Sequence, residues 1–388
     1  MNFAEFFAGV GLVREGLSYQ GWECVWANDI SPDKRETYVS NYGEDHFSLA
    51  DVWDITNDVS SIPDDTFLYT ASFPCTDLSV AGDRAGLQGK HSGTLNAVIE
   101  IIRRKKALGK NPKVVLLENV QGFLTSHQGK DVSNTVRLFT DLGYYIDILE
   151  LDAIDFTPQS RPRVFFIAVD SSIAHSVMKV KKKNSILDEW WSIFDQKPAL
   201  RSERIRTIIL ANEDLNWGIF DIEPPSRRNV QLAEIIEADI SDDSDLWWSQ
   251  DRKEHLFSQM SDRHKAALDA MIKRSTHSYG TVYRRVRKGK SMAELRTDGV
   301  AGCLRTPRGG SSKQILVRAG FSEWSVRLLT PREYARLQGV RDDYILPSNA
   351  NKGYFAMGDA VCVQVIDYLS REILTPIFND SQNIASRN

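Results

Sequence analysis

The chain has 388 residues, enough for two domains or one large domain with an insertion, since domains run to about 100–200 residues. With 42% apolar, 26% charged and 10% aromatic residues it is a folding sequence, which excludes disordered, collagen-like and low-complexity classes. Forty-eight basic against 52 acidic residues leave a net charge of −4, which taken as a total argues against a polyanionic partner.

In chain order, short β-type runs at 2–7, 23–27, 67–73, 113–117, 145–151 and 164–169 alternate with amphipathic stretches at 12–19, 32–41, 95–107 and 132–142. That alternation predicts an α/β fold, a mostly parallel sheet with helices on both faces. From about 171 to 325 the regularity fades. A lysine-rich run at 179–183, Trp-Trp pairs, Pro224-Pro225 and a glycine-rich loop point to a second, irregular domain or a large insertion. Thr330-Pro331-Arg332-Glu333 then reads as a capping box with proline at the first helical position, and Gly339 as the stop. A last helix over 360–374 sets Cys362, Ile366, Leu369 and Ile373 on one face, so Cys362 is expected in a core.

Ligands of open parallel sheets bind at the carboxyl ends of the strands. After the first run stands Phe7-Ala8-Gly9-Val10-Gly11, a glycine turn opening a helix, and eighteen residues past Gly11 comes Asp29, where such folds put a carboxylate on a ribose diol. Glycine turns also feed helices for packing reasons alone. Arg14 occupies the third position of Gly-x-Gly-x-x-Gly, which disfavours a pyrophosphate and leaves room for a cofactor without phosphates. The third run leads into Pro74-Cys75, followed by Thr76, Asp77 and Ser79: a thiol placed either as a nucleophile or as a buried strand-end cysteine. The next leads into Glu118-Asn119-Val120, a carboxylate either turned to solvent or held in the crevice as a proton donor. Gln159-Ser160-Arg161-Pro162-Arg163 brings two arginines suited to clamping a phosphate or carboxylate, or to pairing with surface acids.

Taken in order, these motifs, with Leu329-Thr330-Pro331-Arg332-Glu333, Arg336-Leu337-Gln338-Gly339 and Gly358-Asp359-Ala360-Val361, resemble the DNA (cytosine-5) methyltransferase family of the bacterial restriction–modification type. The resemblance spans nearly the whole chain except 171–325, the family's variable target-recognition region. It implies a Rossmann-like, S-adenosyl-L-methionine (AdoMet)-dependent domain over 1–170, completed by a C-terminal helix at 355–378. A smaller irregular target-recognition domain would occupy 171–350. Departures are Glu5 where aspartate is usual, Thr76 for glutamine, Asp29 for glutamate and Asp359 for asparagine.

By that resemblance Cys75 adds to C6 of cytosine, Glu118 stabilises the adduct at N3 and the exocyclic amine, and Arg161 and Arg163 steady the extruded nucleotide. AdoMet would lie on Phe7, Gly9, Gly11, Asp29, Ile30, Asp51, Val52, Pro74, Asp359 and Val361. Double-stranded DNA would meet Ser79 and Arg84 in a closing loop over 76–92 that holds Gly82 and Gly86. It would also meet Arg305, Arg308, Gly309, Gly310 and Lys313 in a recognition loop. No metal is expected. An RNA substrate on the same scaffold and a non-catalytic DNA-binding relative are the competing readings; Arg14 and the paired Cys75 and Glu118 argue against a dinucleotide oxidoreductase.

The longest apolar runs, such as 114–117 and 164–169, fall far short of the roughly 20 residues of a membrane span, and Glu5 and Glu15 stand where a leader would be basic. Four scattered cysteines (Cys24, Cys75, Cys303, Cys362) form no Cys-x-x-Cys pair, so neither a disulfide framework nor a zinc site is suggested. The expectation is a cytoplasmic bacterial protein, monomeric, acting on DNA, with a cognate restriction endonuclease as functional partner. Charge is divided to match. Residues 1–170 hold 15 basic and 24 acidic side chains (−9), whereas 271–340 hold 15 basic and four acidic (+11), and phosphate responds to that local field.

Overall fold

The computed structural model describes residues 1–74, 92–182, 189–227, 229–287, 289–306 and 313–385. The chain forms two compact units. The larger comprises 1–151, 162–225 and 365–388; the smaller comprises 152–161 and 226–364.

The larger unit is built on seven strands in the order β3-β2-β1-β4-β5-β7-β6. They are β1 (Asn2–Phe6), β2 (Glu23–Asp29), β3 (Phe47–Leu49), β4 (Leu68–Ala71), β5 (Val114–Val120), β6 (Tyr144–Asp152) and β7 (Pro162–Asp170). Pairings from β3 through β5 are parallel, and β7 runs antiparallel to β5 from Val114↔Val169 to Val120↔Arg163. Four helices alternate with these strands: α1 (Leu12–Ser18), α2 (Pro32–Tyr42), α4 (Leu95–Ala107) and α5 (Lys130–Asp141), with the single turn α3 (Val52–Ile55) between α2 and α4. The residues explain the elements. Ser31 caps α2 ahead of Pro32, accepting the Lys34 N–H at 3.4 Å, and α4 buries Leu95, Val98, Ile99, Ile101 and Ile102 while Arg104, Lys105 and Lys106 close its carboxyl end. Phe6, Trp26, Tyr69, Leu117 and Phe166 carry the core between sheet and helices.

The sequence boundaries shift in three places. Residues 171–225, expected in the small domain, pack with the large sheet: Trp190, Phe194, Ile205, Ile208 and Trp217 join its core, and buried Arg201 pairs with Asp147 of β6. A minor two-stranded pairing, β8 (Lys179–Val180) with β9 (Gly218–Ile219), lies here. Residues 152–161 belong instead to the small unit, where the Gln159 amide donates to the Leu337 carbonyl at 2.9 Å. The C-terminal return begins at 365 rather than 355, and within it Phe378 packs edge-on against Trp22 and Phe67 while the Trp22 indole donates to Thr375 Oγ1 at 3.0 Å.

The small unit is less irregular than the sequence suggests. It holds an antiparallel sheet in the order β11-β10-β12-β13, formed by β10 (Ser278–Arg287), β11 (Lys290–Arg296), β12 (Ile315–Gly320) and β13 (Glu323–Leu328). Its core joins Leu256, Met260, Leu268 and Met271 to Val282, Leu295, Val317 and Val326. The capping box forms as read: Thr330 and Glu333 bond reciprocally at the start of helix Pro331–Leu337, and Gly339 adopts φ 77°. Cys362 is buried, just ahead of helix Val363–Leu369. Among the described residues no helix is long and apolar enough to cross a membrane, and no cluster of metal-ligating side chains occurs.

Candidate active site

At the carboxyl end of β1 the chain reverses through Phe7 (φ 55°), Gly9 (φ 58°) and Gly11 (φ 82°), three left-handed residues in five. Asp29, at the end of β2, organises this turn. Its Oδ2 accepts the Gly9 N–H and its Oδ1 the Ser31 N–H, both at 2.9 Å. The Ala8 N–H goes to the Asn28 carbonyl and the Gly11 N–H to that of Ala8, each at 2.8 Å. These amides are turned inward, so the loop does not present the ring of N–H groups that a pyrophosphate requires. Arg14 reaches away to Tyr38 Oη at 3.0 Å, with its guanidinium 4.4 Å above the Tyr42 ring. A nucleoside cofactor lacking phosphates fits such a turn; a dinucleotide does not.

Around it, Ile30 is 64% exposed at the end of β2, an apolar face next to the Asp29 carboxylate. Asp51 caps α3 through Oδ1, accepting the Trp53 N–H at 3.0 Å, and Val52 is buried behind it. Glu5, inside β1, is fully buried; among the described residues no hydrogen bond of good geometry reaches either carboxyl oxygen, and burial pushes the group up to about 8, with Arg14 offsetting only part of that.

Two strands along, the ends of β4 and β5 are tied together. The Asn119 amide donates to the Phe73 carbonyl at 3.1 Å, fixing the segment that leads through half-buried Pro74. Cys75 itself, with Ser79, Arg84 and the 76–91 part of the expected closing loop, lies outside the described residues. Next to Asn119, Glu118 extends β5 rather than following it, and Arg163 Nε meets Glu118 Oε1 at 2.9 Å with both side chains only 13% exposed. The antiparallel register makes this contact: Glu118 faces Phe165 and Val120 faces Arg163, so the two charged side chains share one face of the sheet. Asn119 is the positioning residue the motif reading passed over. Its signal was its place between Glu118 and Val120 in a buried strand, where an amide needs a partner.

Arg161, grouped with Arg163 in the sequence, is placed differently. It belongs to the small unit, is buried, and donates to the carbonyls of Leu304 (2.8 Å), Gly358 (3.2 Å) and Ala360 (2.6 Å). Gln338 joins it, donating to Met357 and Ala360 at 2.7 and 3.0 Å. Together they set the backbone of the Gly358-Asp359-Ala360-Val361 motif, which leaves Asp359 exposed and Val361 buried. Here the two terminal nitrogens of the guanidinium brace main-chain carbonyls. Of the expected recognition loop, Arg305 lies over the Tyr283 ring at 5.5 Å, and Lys313 bonds Asn351 Oδ1 at 2.7 Å. Arg308, Gly309 and Gly310 lie outside the described residues.

Residues 1–375 match the model of the C-5 cytosine-specific DNA methylase family. The chain belongs to that family. This methylase is 25% identical over 437 residues to the type II methyltransferase M.BanI of Aneurinibacillus aneurinilyticus, covering 99% of this chain and 97% of that protein. It is 24% identical over 376 residues to M.HhaI of Haemophilus parahaemolyticus, covering 96% and 94%. Among solved structures it shares its fold with the Dnmt2 methyltransferase of S. pombe (TM-score 0.62, 17% identity, 97% and 99% coverage). A second is a prophage-encoded DNA modification methyltransferase of E. coli described as putative (TM-score 0.53, 19% identity, 98% and 99% coverage). The protein is thus a C5-cytosine DNA methyltransferase on a mixed α/β, mostly parallel scaffold.

Proposed function

We propose that the enzyme methylates C5 of a cytosine extruded from a specific double-stranded DNA sequence, through a covalent adduct between Cys75 and C6. The observation that carries this is the junction at the ends of β4 and β5, where Asn119 anchors the approach to Cys75 beside the Glu118–Arg163 pair. C5 of cytosine is too weak a nucleophile to act unaided. The Cys75 thiolate adds to C6, and electron density moves through C5=C6 toward N3, where Glu118 donates a hydrogen bond or proton and steadies the developing charge. Arg163 holds the Glu118 carboxyl in place. AdoMet, when bound, supplies the electrophilic methyl group. Phe7, Gly9, Gly11, Asp29, Ile30, Asp51 and Val52 would hold it, with Pro74, Asp359 and Val361 as further contacts. Loss of the C5 proton to a base and elimination of the Cys75 thiolate then restore the aromatic ring. Such chemistry is blocked inside the duplex, which is why the base must leave the stack.

The small unit would read the target, with Arg305, Arg308, Gly309, Gly310 and Lys313 in a recognition loop, and Ser79 and Arg84 on the closing loop. The naming of the relatives as type II methyltransferases supports a restriction–modification setting; a cognate endonuclease, a monomeric enzyme and a cytoplasmic location are the further parts of the proposal. The test is transfer of tritium from labelled AdoMet to DNA. Cys75→Ser abolishes transfer while AdoMet binding persists, and DNA carrying 5-fluorocytosine traps a stable adduct, because fluorine does not leave as a proton does. Full activity in the serine variant, or no adduct with active enzyme, would overturn the mechanism. Bisulfite sequencing of DNA from expressing cells locates the methylated position.

A further inference from the structure

The proposed chemistry gives the buried carboxyl of Glu5 no task. Its neighbours in register are Ala27 on β2 and Thr70 on β4. Thr70 is likewise buried, and among the described residues its hydroxyl, like both Glu5 oxygens, lacks a hydrogen-bond partner of good geometry. A buried acid that only supports a fold is ordinarily paired, because leaving it unpaired costs stability. The position of Glu5 joins it to the cofactor turn. It lies two residues before Phe7 on the strand that opens that turn, and within the field of Asp29, whose Oδ2 fixes Gly9.

The titratable groups around Glu5 are Arg14 from α1, Asp29 and Cys24 from β2, and Tyr38 from α2. Burial holds Glu5 up at about 8; the Arg14 charge pulls it down in part, and Asp29 pushes it up. Burial also lifts the Cys24 thiol to about 12 and the Tyr38 phenol higher still, so both stay neutral near pH 7. His46, beyond Tyr38 at 3.1 Å, is held below its ordinary value by burial and by the Arg14 charge. Among these displaced groups, Glu5 is therefore the one set to change charge just above neutrality. Methyl transfer changes the charge bound at the turn. AdoMet carries a sulfonium, and its product S-adenosylhomocysteine (AdoHcy) carries a neutral thioether in its place. A nearby cation favours an ionised carboxylate, and loss of the cation favours the acid.

We propose that Glu5 discriminates cofactor from product by charge, giving up its proton when AdoMet binds and taking one back once the sulfonium has become a thioether. The proton passes to solvent on binding and returns from solvent after transfer, so the methyl step neither consumes nor supplies it. The ionised carboxylate strengthens the hold on the cation; the neutral acid offers AdoHcy no such hold, and product leaves more readily. The inference rests on AdoMet being the cofactor at this turn. Isothermal titration of the full-length enzyme with AdoMet and with AdoHcy, each in two buffers of different ionisation enthalpy, counts the protons released. With Glu5 lowered by about one unit, the wild type at about pH 7.5 releases about half a proton more with AdoMet than with AdoHcy. By the same linkage, its preference for AdoMet rises about tenfold from about pH 6 to pH 9. The ligands' own ammonium groups titrate in this range as well, so the variants supply the reference. Glu5→Gln loses the half-proton excess and Glu5→Asp keeps it, with thermal melting to show that each folds. Infrared difference spectra of the wild type need no variant: the C=O stretch of a protonated carboxyl is lost on adding AdoMet and persists on adding AdoHcy. Equal proton counts for the two ligands in the wild type, or an excess that survives in Glu5→Gln, overturn the proposal and leave the cofactor reading intact. A protein that binds neither ligand overturns the cofactor reading, and this inference with it.

Discussion

Replacing Glu5 with glutamine isolates an energetic feature of the cofactor strand. The Glu5 carboxyl lies within β1, two residues before the Phe7 turn, and burial raises it from 4.5 to about 8; the Arg14 charge pulls it back in part, and Asp29 adds a smaller push upward. Ionising it in place costs about 5 kcal/mol relative to the unfolded chain, at about 1.4 kcal/mol per pH unit of displacement. The sign follows from proton counting. Between about 4.5 and 8 the unfolded chain has lost this proton and the folded chain keeps it, so folding takes up a proton and stability falls as pH rises. Below the window both states are neutral, and above it the full cost is present at a constant level. Glu5→Gln removes the titration. From about pH 5 to pH 8 the wild type therefore loses about 4 kcal/mol relative to the variant. Urea denaturation of both proteins at each pH, followed by tryptophan fluorescence, measures the gap. A gap that stays constant across the window would show that Glu5 is already ionised in the fold and refute the reasoning.

Three further outcomes follow from the same geometry. Asn119→Ala removes the anchor on the Phe73 carbonyl, and kcat falls by about 10- to 100-fold while the AdoMet dissociation constant stays within about twofold, by isothermal titration and steady-state kinetics; a change confined to AdoMet affinity contradicts it. Arg163→Gln frees Glu118 and lowers kcat by about 100-fold or more with thermal stability nearly retained, and Arg163→Lys restores only part because a lysine lacks the planar fork. Gly358→Ala puts a methyl group 2.5 Å from the Arg305 carbonyl carbon, a backbone contact that has to give way, and destabilises the protein by about 1–3 kcal/mol in urea unfolding.

Much of the site could be read along the chain because its parts stand at strand ends. The glycine turn follows β1, Asp29 ends β2 and Glu118 lies near the end of β5, and a parallel sheet delivers such positions to one edge. What periodicity missed was weak in local signal. β3 has only three residues, and the small unit's strands interleave arginines, from exposed Arg285 to buried Arg327, with buried aliphatics, so that the alternation is hidden. Residues 171–225 looked separate because their helices are short, yet their apolar faces complete the large core.

The residue types and their order determined the family, the α/β class and the candidate nucleophile and acid, because catalysis and close turns admit few substitutes at those points. Partner choice belonged to tertiary structure. Arg161 and Arg163 are identical in kind and two residues apart, but Arg163 lies in β7 opposite β5 and meets Glu118, while Arg161 lies before β7 and braces carbonyls of the small unit. Asp29, expected on a ribose diol, also accepts the N–H groups of Gly9 and Ser31 and so organises the turn itself. Each outcome depends on which backbone passes within about 3 Å, the reach of a hydrogen bond, and strand register and chain return set that distance where no local sequence pattern does.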